Sequence, residues 1–537
     1  MTEPFIVIPA RGGSVSVPRK NLRMLVGKPL ISHTIDIALG AVDSSRIAVI
    51  TDDDEIAEIA HSHQVAVIRE GKRASGLSTL DELIIRHLPD VAALGAHDED
   101  VLITMQPTCP LIASGIIAKT MAEFDAGVGS VLSVKDDRHL AWTKQDGQYT
   151  PLYEARVNRQ LQAPKFRESG AVIAARISSI KENQTRIVEP VSLIELPEDQ
   201  ALDIDSFADL VVAEHFLTRK TILIHADAAT ELGMGHVYRA LALAQELARH
   251  KLVILTNKDK PLGAKFFSAQ VFDHREISSP KELIFISAEL KADLVVLDVL
   301  DTNAEFVREI QLTGAKVVSF EDAGSGAQLA DLVISDIYPS PTATKQLVGI
   351  EHAILAPAFE ILKRRATISE SVQHVLVLFG GTDPASLAEK SLAALEAIGY
   401  RGKVSCVRGL GAKDINASFN LDLEILRDVT NMPQLMASAD LALSSAGRTI
   451  TELASVGVPT LCLVQNEKET THTHAIRENG VINLGLGKDL RLEVLSSELA
   501  TLLADFELRK ELSANALAAT KNRSNRMVIA EIMREIL

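Results

Sequence analysis

Three groups of residues have the types and spacing to do chemistry. The first is Pro9-Ala-Arg-Gly-Gly-Ser14 followed by Pro18-Arg-Lys-Asn21, a glycine pair flanked by Arg11, Arg19 and Lys20. A short apolar run from Phe5 precedes this loop, and a helical pattern from Leu30 to Ala38 follows it. Strand, glycine loop and helix together offer backbone N–H groups to an anion. Three cations in the same loop suit a polyanion such as a nucleoside triphosphate. Neither G-x-x-x-x-G-K-[ST] nor G-x-G-x-x-G is present, so the loop is neither a Walker loop nor a dinucleotide turn. The second group is Asp203-Ile-Asp205. On an extended segment residues i and i+2 face the same way, and two carboxylates there form a hard-oxygen site suited to Mg²⁺. A solvated strand end is the competing reading of such a pair.

The third group is a set of junctions with one logic. Thr221–His225 reads as a strand that passes through Leu232-Gly-Met-Gly-His236 into a helix, Val237–Leu247. Val375–Phe379 passes through Gly380-Gly-Thr-Asp383 into another. Leu441–Leu443 passes through Ser444-Ser-Ala-Gly-Arg-Thr449 into Ile450–Val456. Helix N-termini after glycine-rich turns bind diphosphates, and two facing α/β lobes make a cleft for a nucleotide-sugar. Two other clusters invite a metal assignment and are better read otherwise. Asp52-Asp-Asp-Glu55 is an acidic helix N-terminus, from which only Asp52 is kept as a pocket residue. His472-Thr-His474 lacks a third ligand and reads as a polar loop.

The elements that must position these residues alternate along the chain. Ile47–Thr51, Val65–Arg69, Val101–Met105 and Ser130–Val134 read as strands, separated by the amphipathic stretches Ile56–His63, Leu80–Leu88 and Ile116–Phe124. That alternation predicts mostly parallel, doubly wound α/β sheets. A Gln-rich segment, Arg156–Pro164, interrupts it, and Phe207–Leu217 closes the first unit as a helix. A new strand at Thr221 places the main boundary at about residue 219, giving domains 1–219 and 220–537. The second has lobes of about 221–355, with strands at Leu252–Thr256, Leu294–Leu297, Lys316–Phe320 and Leu332–Ser335, and 372–537.

Bulk properties bound the partners. The chain has 537 residues, 47% of them hydrophobic and 23% charged, with a formal charge of −16. No sustained basic stretch exists to neutralise phosphates, which argues against nucleic acid and anionic membranes. No apolar run approaches the ~18 residues of a membrane span, and the start lacks a signal-peptide pattern. Cys109, Cys406 and Cys462 lie far apart, without zinc spacing or an even disulfide set. A cytoplasmic protein is expected.

In the first domain, Pro9–Ser14, Pro18–Asn21, Thr51-Asp52, Gln106-Pro-Thr-Cys-Pro110, Phe166-Arg167 with Gly170-Ala171, and Asp203-Ile-Asp205 fall in the order seen in CMP-sialic acid synthetases. These are the cytidylyltransferases that activate sialic, legionaminic and pseudaminic acids. The resemblance covers about residues 4–217 and implies a nucleotidyltransferase fold, CTP and a nonulosonic acid as substrates, Mg²⁺ at Asp203 and Asp205, and a homodimer. It implies that Arg11, Ser14, Lys20 and Asn21 hold the triphosphate and that Gln106 and Thr108 contact base or sugar. Arg167 is then the candidate grip on the acceptor carboxylate, since a guanidinium binds one bidentately. The chain departs from the family at Val15-Ser16, Cys109 and Ser169-Gly170.

Over about residues 221–485 the chain resembles GT-B proteins, most closely the UDP-sugar hydrolase of pseudaminic acid biosynthesis. That resemblance makes His236, after Gly235, the base that activates water, with the helix dipole keeping its ring neutral. It assigns Ser445, Gly447 and Thr449 to the diphosphate and Glu452 to the uridine ribose, with Asp383 and Asn466 also in the nucleotide-sugar site. The hydrolase has Asp-His-Tyr where this chain has Asp298-Val-Leu300. A UDP-sugar hydrolase is therefore expected, with a glycosyltransferase or a non-catalytic nucleotide-sugar scaffold as the alternatives.

Overall fold

The structure is a computed structural model that describes residues 3–14, 16–71, 79–229, 232–338, 343, 345–362, 368–409, 411–427, 429 and 431–536. Val15, one of the departures noted above, lies outside the described residues. Two compact units divide at Arg219 and Lys220.

The first unit is built on a seven-stranded sheet in the order Val191–Glu195, Ser130–Asp136, Phe166–Arg176, Val101–Thr104, Pro4–Pro9, Ile47–Thr51, Ala66–Arg69. Six strands run parallel and Phe166–Arg176 runs against both its neighbours. Ile47–Thr51 is buried along its whole length, as a strand covered by helices on both faces must be. The chain leaves the central strand Pro4–Pro9 toward one edge and returns on its other side at Val101–Thr104. Ligands of open α/β sheets bind beyond the carboxyl ends of strands at such a reversal. Both the Ala10–Ser14 loop and the Gln106–Pro110 loop emerge there.

The second unit contains two all-parallel sheets. The first lobe has the order Asp273–Ile277, Lys251–Asn257, Thr221–Ala226, Leu294–Asp298, Lys316–Phe320, Leu332–Ser335, Gln346–Val348. The second lobe has Asp422–Arg427, Lys403–Arg408, His374–Leu378, Leu441–Ser444, Thr460–Val464, Val481–Leu486. Each repeats the reversal: beside Thr221–Ala226 in one lobe, beside His374–Leu378 in the other. The last helix, Asn525–Arg534, crosses back to the first lobe and buries Val528, Ile532 and Met533 in its core. Among the described residues no helix is long and apolar enough to cross a membrane.

Candidate active sites

In the first unit the glycine loop is braced from below. Gly12 donates its N–H to Asp52 Oδ1 at 2.8 Å, and Asn21 Nδ2 donates to the Arg11 carbonyl at 3.0 Å. A Cβ on Gly12 would fall 2.3 Å from Asp53 Oδ2, so only glycine lets the loop lie this close to the helix Asp54–Ser62. Asp53 caps that helix by accepting from Glu55 and Ile56 N–H and also pairs with Arg19 at 3.4 Å, which explains the acidic run. Arg11 and Ser14 lie close by at the surface.

Lys20 is nearly buried and spans the site. Its Nζ donates to the Ile204 carbonyl at 2.6 Å and to Asp205 Oδ1 at 3.0 Å, so the structure brings together the loop cation and the aspartate pair. Ala201–Asp205 belongs to no strand ladder, and its two carboxylates differ in setting. Asp205 is open to solvent. Asp203 is half-buried and bonded to Thr108, and its Oδ1 has no hydrogen-bond partner. Burial pushes the Asp203 carboxyl up, the Thr108 hydrogen bond opposes this, and the Asp205 charge adds to it. Ser206 ends the segment through a capping box with Asp209, whose Oδ2 also accepts from the Asp205 N–H at 3.0 Å. Gln106 lies against Gly170, where φ is +74° and a Cβ would meet the amide at 2.8 Å. The positive φ favours glycine there. Arg167 is exposed, 3.8 Å from Asp137, so its position is that of a surface ion pair rather than of a preformed carboxylate clamp.

In the second unit three adjacent strands each have an acid at or just beyond their carboxyl end: Asp298, Glu321 and Asp336. All three close on Arg239, which lies one turn after His236 on the helix Gly235–Glu246 and on the same face. Arg239 donates to both Asp298 oxygens, at 2.5 and 2.6 Å, to Glu321 Oε1 at 2.9 Å and to Asp336 Oδ1 at 3.1 Å. Burial alone would favour a neutral guanidine, but the facing acids outweigh it and hold Arg239 charged. Burial pushes Asp298 up, whereas Arg239 and His236 hold it at about 2. Glu321 is driven well above the usual carboxylate range by burial and by Asp336, and Asp336 is held below it by Arg448 and Glu321. Arg239 and Arg448 thus face Asp298, Glu321 and Asp336 around one buried centre.

His236 is positioned by this cluster. Its Nδ1–H donates to the Asp298 carboxylate at 2.6 Å, which leaves Nε2 as the ring nitrogen turned away from that carboxylate. Among the described residues Nε2 has no partner. A cavity of about 450 Å³ opens at this ring, lined also by His225, Asp227, Asn257, Asp301, Thr302, Asn303 and Lys468. The ring's setting therefore comes from Asp298 as well as from the helix N-terminus assumed above. Sequence reading kept Asp298 and passed over Arg239, Glu321 and Asp336. The available signal was an arginine three residues after the histidine, together with acids closing consecutive apolar strands.

The second-lobe loop Ser444–Thr449 meets this helix start. A Cβ on Gly235 would fall 3.0 Å from Arg448 Cδ. Arg448 donates to both Asp336 oxygens at 3.3 Å and to the Ile354 carbonyl at 2.5 Å. His472 Nδ1 and His474 Nε2 donate to the Ala446 and Gly447 carbonyls at 2.6 and 3.0 Å, so the histidine pair braces the loop. Glu452 follows Thr449 in the first turn, where burial raises it to about 7 against the opposing charge of Arg448. Two expected contacts fall elsewhere. Asp383 caps the helix Leu387–Ala397 through Leu387 and Ala388 N–H and is paired with Arg408 at 2.6 Å; its oxygens are used inside the fold. Asn466 is exposed and accepts from Glu469 N–H at 3.0 Å.

The fold and these sites define a nucleotidyltransferase-type α/β unit joined to a GT-B-type pair of lobes. Residues 5–130 match the family described as cytidylyltransferase, and residues 375–528 match the glycosyltransferase family 28 C-terminal domain. The chain thus carries, in this order, a stretch similar to cytidylyltransferases and a stretch similar to the C-terminal domain of family 28 glycosyltransferases. It is 28% identical over 307 residues to the spore coat polysaccharide biosynthesis protein SpsG of Bacillus subtilis, covering 54% of this chain and 91% of that one. It is 29% identical over 220 residues to the CMP-N,N'-diacetyllegionaminic acid synthase of Legionella pneumophila, covering 39% and 94%. An uncharacterised protein of Methanocaldococcus jannaschii is 27% identical over 271 residues, 46% of this chain and 56% of that one.

Proposed function

We propose that the first unit transfers CMP from CTP to a nonulosonic acid, releasing diphosphate. The observation that carries this is the convergence of Lys20, Asp203, Asp205 and Thr108 beside the glycine loop at the sheet's reversal. The likeness to the Legionella synthase supports the acceptor class. The acceptor hydroxyl attacks the α-phosphorus while the bond to the bridging oxygen of diphosphate breaks, so charge must be neutralised on the departing group. Lys20 and Arg11 would supply cations, and backbone N–H groups of the glycine loop would orient phosphate oxygens. Asp203, with one oxygen buried and unpartnered, and Asp205 are hard-oxygen donors that fit Mg²⁺. Among the described residues no cluster of three such side chains exists, so nucleotide phosphates would complete the shell. Bound Mg²⁺ would supply charge neutralisation on those phosphates. Incubating the full chain with CTP, Mg²⁺ and a panel of nonulosonic acids should release diphosphate with at least one of them; release with none sinks the reading.

For the second unit we propose cleavage of a UDP-sugar with His236 Nε2 as the proton acceptor, carried by the His236–Asp298 pair at the cavity. Water as the nucleophile gives the hydrolase. The family 28 match favours the second reading, in which a sugar hydroxyl takes that place. A UDP-2,4-diacetamido-trideoxyhexose should release UDP without an acceptor if water attacks, and only with an added acceptor sugar if it is a transferase. UDP release that survives His236→Ala unchanged would exclude this base.

A further inference from the structure

Asp336 is claimed from both lobes. Its Oδ1 accepts from Arg239 at 3.1 Å and from Arg448 at 3.3 Å, and its Oδ2 takes a second 3.3 Å contact from Arg448. These are long for charge-assisted bonds, which favour about 2.7–2.9 Å. The grip of Arg239 on Asp298 at 2.5 and 2.6 Å is tight by the same measure. Arg448 is the residue directly before the helix Thr449–Val456, in the loop assigned above to a diphosphate. A diphosphate at that helix start offers a guanidinium a better partner than a shared carboxylate at 3.3 Å. Arg448 therefore has two places to be, on Asp336 or on the ligand. When it leaves, Asp298 and Asp336 share Arg239 as their one guanidinium, and the lost compensation in a desolvated site pulls that guanidinium toward Asp336. Any such movement loosens or turns Asp298, on which the His236 ring hangs.

We propose that Arg448 is a positioning residue that reports nucleotide occupancy of the second-lobe loop to the His236 ring, by way of Asp336, Arg239 and Asp298. The inference rests on reading Ser444–Thr449 as the diphosphate loop and His236 as the base. The two-state element that coupling requires is Arg448 itself.

The test uses the full chain with ring-labelled histidine, the His236 signal being assigned by its loss in His236→Asn, and UDP as the probe. Saturating UDP should move the His236 signal in the parent protein. In Arg448→Met and Asp336→Asn the movement should vanish, while Asp336→Asn still binds UDP within about tenfold of the parent affinity, since Asp336 touches no ligand in this scheme. Arg448→Lys, which keeps the charge and loses the fork, should show at most half the shift and serves if the other variants do not fold. A His236 signal indifferent to UDP in the parent, an undiminished shift in the variants, or loss of UDP binding in Asp336→Asn overturns the proposal. Failure of the base reading shows separately, as UDP-sugar cleavage surviving in His236→Asn while the coupled shift stands in the parent.

Discussion

Asp203 and Asp205 differ in a way that a rate profile can read. Replacing either with Ala should lower CMP-sugar formation about a hundredfold or more, the scale of several kcal/mol of lost charge stabilisation. The pH dependence should separate them. Burial raises the Asp203 carboxyl, and a hard-cation ligand must be ionised. Activity at limiting Mg²⁺ should therefore fall on acidification at a pH above that of an ordinary carboxylate, and Asp205→Ala should keep that acid limb on its residual rate. An acid limb at the ordinary carboxylate range would remove Asp203 from the site. Glu452 gives the second prediction at this scale. Raised to about 7 by burial, it ionises as pH increases through neutrality, and the ionised form accepts ribose hydroxyls more strongly. Affinity for UDP-N-acetylglucosamine, whose diphosphate diester does not titrate there, should rise through that range, by up to about tenfold per pH unit below it. Titration calorimetry should find the rise flattened in Glu452→Gln; a flat parent profile would place Glu452 away from the ribose. Asp383 shows where reading by residue type stops. Its Gly-Gly-Thr-Asp context matched a diphosphate turn, yet a helix start needs a cap, and the nearest acid was taken for that.

At the scale of elements, the glycine junctions are where the chain makes its close approaches. A Cβ on Gly381 would sit 2.3 Å from Met234 Cγ and 3.3 Å from its backbone nitrogen. The Met234 side chain can yield; its backbone, one residue before the helix that carries His236, yields less. Gly381→Ala should cost about 1–3 kcal/mol and weaken UDP-sugar cleavage in kcat more than UDP binding, because the strain is delivered to the helix start. Thermal melts and steady-state rates decide it: a variant with parent Tm and kcat would show that the two turns have room. The same junctions were legible in the sequence because glycine after an apolar strand has few other uses. Strands carrying continuous apolar runs, such as Lys316–Phe320 and Leu332–Ser335, fall where their composition puts them. Phe166–Arg176 was not legible as one strand, since Glu168-Ser-Gly170 breaks its apolar pattern at a register shift. The Arg239 cluster stayed hidden for a different reason. An arginine with three acids around it is assigned to the surface by type, because charges are buried only when paired, and the pairing here joins strand ends that only the fold brings together.

For the whole molecule, the expectation follows from two compact units, each with its own sheets and its own site. Nothing in the chemistry of CMP transfer requires His236, and nothing in UDP-sugar cleavage requires Asp205. Mutations at independent sites with no shared partners add. In the full chain, Asp205→Ala should lower diphosphate release from CTP about a hundredfold while leaving UDP release within about twofold of the parent, and His236→Ala should do the reverse. The double variant should lose both rates without a further drop in stability beyond the sum of the singles. Two assays run on the four proteins settle the matter. If Asp205→Ala also lowers UDP release tenfold, or His236→Ala lowers diphosphate release by as much, the two sites act on one reaction, and the reading of the chain as two separate catalysts falls.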